Sequence, residues 1–294
     1  MFKKLIRLSV VLAAMLLMVA CEPIDWLIEQ SPTTDPVVPV EGTLEVYFLD
    51  VGQAESILLK TEGHSMLIDA GNLNQDNKMR DYLQKYNVTQ LDYLVATHPD
   101  ADHIGSMATV IRAMDSIGAI LMPDVTANTQ TFSRLLDAIE EKDLEIINPT
   151  VGYEFMFGEA KVEVMAPKSP KYSDTNDYSI VLRLVFGNKT FLFTGDAEAK
   201  SENEQLAAGL NLKADVLKVA HHGSSTSSSQ AFLDIVNPTI AVISCGTGNS
   251  YGHPRPETIS RLDDMGVIIY RTDLLGTITI TTDGSSDFVI SYEN

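Results

Sequence analysis

Alternation is the first legible pattern in the chain. In "TLEVYFLDV", Leu44, Val46 and Phe48 share one face at period two. "SILLKT" and "HSMLIDAG" follow, separated by the turn signal "EGH", so the folded part opens as a β-meander. The period then changes: "NKMRDYLQKYNV" sets Met79, Tyr82, Leu83 and Tyr86 at helical spacing. "LDYLVATH" is a short apolar run that predicts a buried strand. "HIGSMATVIRAMDSIG" predicts a helix with Ile104, Met107, Val110, Ile111 and Met114 inward, and "AILMP" a strand. "NTQTFSRLLDAIEEKDL" predicts a second helix whose apolar stripe is Leu135, Leu136 and Ile139, and "VGYEFMFGEAKVEVMAP" two more strands.

The second half repeats the style. "YSIVLRLVFG" and "KTFLFTGDA" form a predicted hairpin joined at Gly187-Asn188. "ENEQLAAGL", "AFLDIV" and "RPETISRLDDMG" read as helices; "ADVLKVAHHGS", "TIAVISCG", "VIIYRT", "GTITITTDG" and "SDFVISYE" read as strands. Two strand-rich halves with helices between and outside predict an α+β fold, with sheets packed face to face under helical layers. Polar clusters recur at strand ends: Asp69 with Gly71, His98 to His103, Gly195 with Asp196, and His221 with His222. Loops at one rim of such a sandwich can converge on a single site.

The N-terminus breaks the pattern. Lys3, Lys4 and Arg7 precede the apolar stretch "LSVVLAAMLLMVA", so residues 1–20 read as a secretory signal. "LMVAC" resembles a bacterial lipobox, with Met18 in place of the usual Leu and Cys21 as the lipidated residue. Residues 21–42 read as a proline-containing tether, and 43–294 as the folded domain. The expected location is extracytoplasmic, lipid-anchored to the bacterial cell membrane. With Cys21 acylated, Cys245 has no partner for an intrachain disulfide and reads as a small buried residue at a strand end.

Composition narrows the function. The chain is 45% hydrophobic, enough for a sizeable core. Its formal net charge is −19, and loss of the three basic residues of the signal makes it −22. Such a surface opposes non-specific binding to nucleic acid but leaves room for a phosphodiester held by a metal.

The densest chemistry is "LVATHPDADHIGS". His98 and Asp100 are two apart and point the same way in extended chain. Asp102 and His103 open the next helix and face a second point nearby. Imidazole and carboxylate suit two divalent ions, Zn²⁺ or Mn²⁺; the competing reading is a solvated polar loop.

"THPDADHIG" resembles the H-x-H-x-D-H motif of metallo-β-lactamase-fold hydrolases, with Asp100 in place of the second His. Together with "FLDVGQAESILL…MLIDAG", "NDYSIVLRL", "FLFTGDAE", "VLKVAHHGSSTS", "NSYGHPRPE" and "YRTDLLGTITITTDG", it resembles the soluble hydrolase domain of ComEC-type DNA-uptake proteins, in order from Leu44 to Gly284. The resemblance implies a four-layer αββα sandwich with a dinuclear site at one rim. It implies that His98 and Asp100 bind one metal, Asp102 and His103 the other, and that Asp196 bridges them. One of His221 and His222 completes the second site, and Asp69 orients ligands from beneath. "GQAE" at Gly52 to Glu55 replaces the branch's "GQGD", and the fold's third-motif His has no counterpart in "DTNDYS". Asn176, Asp177 or Ser179 stands near that position; Asn176, Ser179 and His253 (with Arg255) are the candidates for contact with substrate. Ser224 and Ser225 are further candidates, whereas Thr226 to Ser229 read as a flexible loop and His64 as a solvated turn residue.

The function expected is an extracytoplasmic metal-dependent hydrolase of phosphodiesters in nucleic acid, a nucleotide or a phosphorylated envelope component. Asp102 would orient the metal-activated water or accept its proton. The alternative is a degenerate, metal-stabilised binding module without turnover. A β-lactamase is disfavoured by Asp100 and the missing His.

Overall fold

The structure, a computed structural model, describes residues 39–293. The signal, Cys21 and most of the tether lie outside the described residues. Val40, near the end of the tether, already packs against the apolar core.

The chain runs through β1 (Leu44–Phe48), β2 (Ile57–Thr61), β3 (His64–Ile68), α1 (Asp76–Lys85), β4 (Gln90–Val95), α2 (Ala101–Ile104), α3 (Met107–Ala113), β5 (Ser116–Leu121), α4 (Gln130–Glu141), β6 (Ile146–Ile147), β7 (Glu154–Phe157) and β8 (Ala160–Ala166). It continues through β9 (Val181–Phe186), β10 (Lys189–Phe193), α5 (Ala199–Ala207), β11 (Val216–Lys218), α6 (Gln230–Val236), β12 (Ile240–Ile243), α7 (Pro256–Asp264), β13 (Ile268–Arg271), α8 (Thr272–Leu275), β14 (Ile278–Thr282) and β15 (Val289–Tyr292). One sheet has the order β15-β14-β1-β2-β3-β4-β5-β6, the other β13-β12-β11-β10-β9-β8-β7. The predicted halves therefore exchange strands: β7 and β8 join the second sheet, while β14 and β15 return to close the first.

Period-two alternation builds the layers. Val46, Phe48, Met66, Ile68, Leu182, Leu184, Phe191 and Phe193 meet between the sheets. The intervening Tyr47, Leu58, Leu67 and Leu94 face outward, under Met79, Val110 and Leu135 of the helices. On the other outer face Leu192, Leu217, Ala241 and Ile243 lie under Phe232 and Leu262. The result is the expected αββα sandwich.

Two helical readings change. The predicted helix from His103 is two helices, α2 and α3, divided at Gly105-Ser106. A Cβ on Gly105 would lie 2.3 Å from backbone atoms of Asn72 and Leu73, so α2 sits directly on the segment after β3. In α4 the buried face is Phe132, Leu135, Ala138 and Ile139, whereas Leu136 is 38% exposed. No helix among the described residues is long and apolar enough to cross a membrane.

Strand direction places the site. β3, β4 and β5 are mutually parallel, as are β10, β11, β12 and β13. Asp69, His98, Asp196 and His221 all follow the C-terminal ends of such strands.

Candidate metal centre

The centre is built from beneath by Asp69. Its carboxylate accepts from the Thr97 amide (2.9 Å) and hydroxyl (2.7 Å) and lies 2.7 Å from His103 Nδ1. A carboxylate can only accept here, so His103 carries its proton on Nδ1 and leaves Nε2 bare. His222 is fixed the same way: its Nδ1 donates to the Ser244 carbonyl at 2.8 Å. Thr97 gives its proton to Asp69, so its Oγ1 accepts from His98 Nδ1 at 3.1 Å. The imidazoles thus leave Nε2 for two adjoining donor groups, His98 with His103 and His103 with His222.

Backbone conformation does the rest. Gly195 has φ +50°, and a Cβ there would crowd Thr97 and the Ser179 hydroxyl at 3.0–3.1 Å. The tight seat puts the Asp196 carboxylate 3.3 Å from His103 Nε2 and 3.6 Å from His222 Nε2. Asp69, His221 and His222 also have positive φ, of 58°, 50° and 53°. For non-glycine residues this conformation costs on the order of 1–3 kcal/mol each, and such strain gathers at functional sites.

His221 and His222 end the predicted strand "ADVLKVAHHGS", where adjacent residues would point to opposite faces. They lie instead in a left-handed turn beyond β11, and both rings approach Asp196. His222 is buried, with Nε2 3.4 Å from Asp102 Oδ2. His221 stands at the rim, its side chain 24% exposed, with Nδ1 3.0 Å from Glu198 Oε1 and Nε2 3.7 Å from Asp196.

His98 Nε2, His103 Nε2, His222 Nε2 and Asp196 Oδ1 are all buried, and none makes a hydrogen bond. Buried polar atoms are rarely left unpaired, because each forfeits its hydration. Here they converge: His98, His103 and Asp196 form one compact donor group, and Asp102, His103 and His222 another, each with its atoms within 4.8 Å. Nitrogen and oxygen donors of this kind fit Zn²⁺ or Mn²⁺. Asp100 stands apart: its side chain is 46% exposed and 3.8 Å from His98 Nε2.

Electrostatics agree with a site for cations. Burial disfavours ionised Asp196, but His103 and His222 outweigh it and hold the carboxyl well below its ordinary range. Burial likewise opposes a second proton on His103, yet Asp196 and Asp69 favour one, the positive charge that a cation at Nε2 would supply instead. His98 falls to about 4 through burial and the neighbouring His103. Asp102 is lowered, against burial, by His222 and His103.

Above the centre is a cleft of about 130 Å³. Asp100, Asp102, Asn176, Asp196 and the two adjacent histidines line one side; Gln53, Tyr251 and His253 complete it. A larger hollow of about 440 Å³, bordered by Glu45, Lys60, Glu62 and Gln90, contains none of these donor groups.

Other candidates have structural work. Ser179 is fully buried: its Oγ accepts from the Asp196 amide at 3.0 Å and faces His98 Nδ1, so it seats ligands instead of meeting substrate. Asp177 accepts from the amides of Glu198 and Ser201. The serine run is no loose loop. Glu202 accepts from the Ser228 and Ser229 amides, and Arg261 donates to the Ser227 and Ser228 carbonyls. Ser224 is buried against Thr226, Ser225 is exposed, and His64 pairs with Asp92. Arg255 packs near Gly252, outside the cleft lining. Cys245 is buried beside Asp273; burial and that carboxylate push its thiol up to about 12.

Sequence reasoning missed the ion pair behind the centre. Lys218 Nζ donates to Glu55 Oε2 and to the Val219 carbonyl, and both side chains are fully buried. Glu55 also falls within reach of the Asp196–His222 and Asp69–His103 pairs. A lysine inside the apolar run "VLKVA" was the available signal.

Residues 49–247 match a family profile described as the Metallo-beta-lactamase superfamily. ComE operon protein 3 of Bacillus subtilis is 29% identical over 261 residues, 83% of this chain and 33% of that protein. Competence protein ComA of Neisseria gonorrhoeae is 31% identical over 245 residues, again 83% and 33%. The chain thus spans about a third of the length of these relatives. Among solved structures, the metallo-beta-lactamase fold protein YhfI from Bacillus subtilis superposes with a TM-score of 0.54 at 14% identity, over 79% of this chain and 96% of that one. CmlA, a diiron beta-hydroxylase from Streptomyces venezuelae, gives 0.52 at 14% identity, over 83% and 54%. Both share the fold.

Proposed function

Because the chain belongs to the metallo-beta-lactamase superfamily, we propose that it is a metal-dependent hydrolase of phosphodiester bonds. The observation that carries this is the convergence of three bare, buried imidazole nitrogens with Asp196 Oδ1 beneath an open cleft. Two divalent ions, Zn²⁺ or Mn²⁺, would be held by His98, Asp102, His103, Asp196 and His222, with Asp100 at the open edge. When bound they supply Lewis acidity toward a phosphoryl oxygen and acidify water.

The protein's own residues do the remaining work. Asp69 and the Ser244 carbonyl fix the tautomers of His103 and His222, which keeps Nε2 free as a donor. Ser179 seats the Asp196 backbone. Asp102 is ionised and partly open to the cleft, so its carboxylate oxygen can orient the attacking water. Glu198 holds His221 by Nδ1, leaving Nε2 directed at the cleft. Nucleic acid or nucleotide is the favoured substrate class, on the strength of relatives named for competence and recombination. A phosphorylated envelope component is the alternative.

The test is metal analysis of full-length protein joined to a substrate panel. Metal-loaded protein is expected to cleave bis(p-nitrophenyl) phosphate, to leave β-lactams intact and to lose activity to chelator. Metal content without turnover on any phosphodiester would support a binding module, and efficient lactam cleavage would overturn the substrate class.

We also propose that Cys21 is lipidated and holds the domain on the outer side of the membrane. Two or three acyl chains anchor stably where one does not. Cys21→Ser should release the protein from the membrane fraction; unchanged fractionation would refute the anchor.

A further inference from the structure

We infer that Tyr251 is a stacking platform for the base of a short, nucleotide-like phosphodiester held at the metal centre. This rests on the hydrolase reading above and names the substrate class within it. The observation is a file of rings. His98 and His103 lie 4.1 Å apart between centroids, His103 and His222 5.4 Å, His222 and His221 6.2 Å, His221 and His253 5.4 Å, and His253 and Tyr251 5.7 Å. The file starts in the buried donor cluster and ends in solvent. Its last contact is stacked, with the Tyr251 and His253 planes 26° apart. Tyr251 is nevertheless 60% exposed, although it lines the same cleft as Asp102 and Asp196.

An aromatic ring left in water at the mouth of a polar site loses nothing by accepting a planar partner. A base stacked on it would extend the file by one ring, with its phosphate directed back to the donor cluster. Base stacking is sequence-tolerant because every base has a π-face.

The cleft also limits the length of the ligand. Among the described residues, no lysine or arginine lines it. With 40 acidic against 21 basic residues in the chain, a long polyanion meets repulsion beyond the metal centre. Proteins that follow a long single strand use a positively charged groove for its backbone. One phosphodiester at the centre and one base on Tyr251 match what the cleft offers.

The test compares adenosine monophosphate with ribose 5-phosphate, which differ only by the base. Calorimetry on the Mn²⁺-loaded full-length protein reads binding without requiring turnover. The nucleotide is expected to bind about tenfold more tightly, as one stacked base implies. Tyr251→Ala should bring its affinity down to that of ribose 5-phosphate, while Tyr251→Phe should retain the preference. A 20-mer of thymidine should bind no more tightly than a dinucleotide. Equal affinity for the two monophosphates, binding of neither, or a preference that survives Tyr251→Ala would overturn the platform. Tighter binding of the 20-mer with a steep salt dependence would overturn the limit on length. If the base preference holds but no phosphodiester is cleaved, the hydrolase reading falls and the platform stands. If cleavage occurs without base preference, the reverse is true.

Discussion

Asp196→Ala is expected to lower phosphodiester turnover on the order of a hundred- to a thousandfold, the usual cost of removing one preorganised catalytic electrostatic group. The Asp196 carboxylate lies among the histidines: it approaches His103, His221 and His222, and it shares a donor group with His98. Its removal takes away the carboxylate that both His103 Nε2 and His222 Nε2 face. Thermal melting gives a second readout. An ion at a hundred times its dissociation constant stabilises the folded state by about 2.7 kcal/mol. Added Mn²⁺ or Zn²⁺ should therefore raise the melting temperature of the parent clearly and that of Asp196→Ala little. Equal metal-induced shifts in the two proteins would remove Asp196 from the centre.

Lys218→Met should destabilise the fold even without metal. The change strands the Glu55 carboxylate in a fully buried position, with Asp69 and Asp196 nearby. Breaking a buried pair from one side typically costs about 3–5 kcal/mol. In a domain of about this size that lowers the melting temperature by roughly 2–4 °C per kcal/mol. Glu55→Gln combined with Lys218→Met removes both charges and should recover much of the loss. The pH dependence has a definite sign. Burial already raises the Glu55 carboxyl above its ordinary value, with Lys218 opposing. Without Lys218 it rises further, so stability falls as pH climbs from the unfolded-state value of about 4.3 through the raised folded one. The variant should thus lie closer to the parent at pH 5 than at pH 8. A single variant as stable as the parent at both pH values would show that the pair contributes nothing.

Much of this architecture is legible in the chain because it depends on short-range periodicity. Phe48 and Tyr47, or Leu192 and Phe193, face opposite layers because a strand alternates, and alternation is visible in any window of five residues. His98, Asp102 and His103 could be singled out because they crowd one loop. Three features were hidden, each for a physical reason. The split at Gly105 depends on contact with Asn72, which helical periodicity does not encode. The turn at His221-His222 needs positive φ at two non-glycine residues, against local preference, and is imposed by tertiary structure. The order of the serine run comes from Glu202 and Arg261, distant residues whose charges look solvated in the sequence.

The pairing of β1 with β14 has a consequence for the timing of biosynthesis. Leu44 meets Thr282, and Phe48 meets Ile278. One edge of the first strand therefore stays open on the ribosome until nearly the whole domain has been made. Unpaired edges invite pairing with other chains, and transiently exposed apolar strands aggregate. A nascent chain halted before residue 278 cannot complete its first sheet, however well the segments already made have collapsed. Closure of the first sheet thus waits for β14 to be translated, long after β1 has been made.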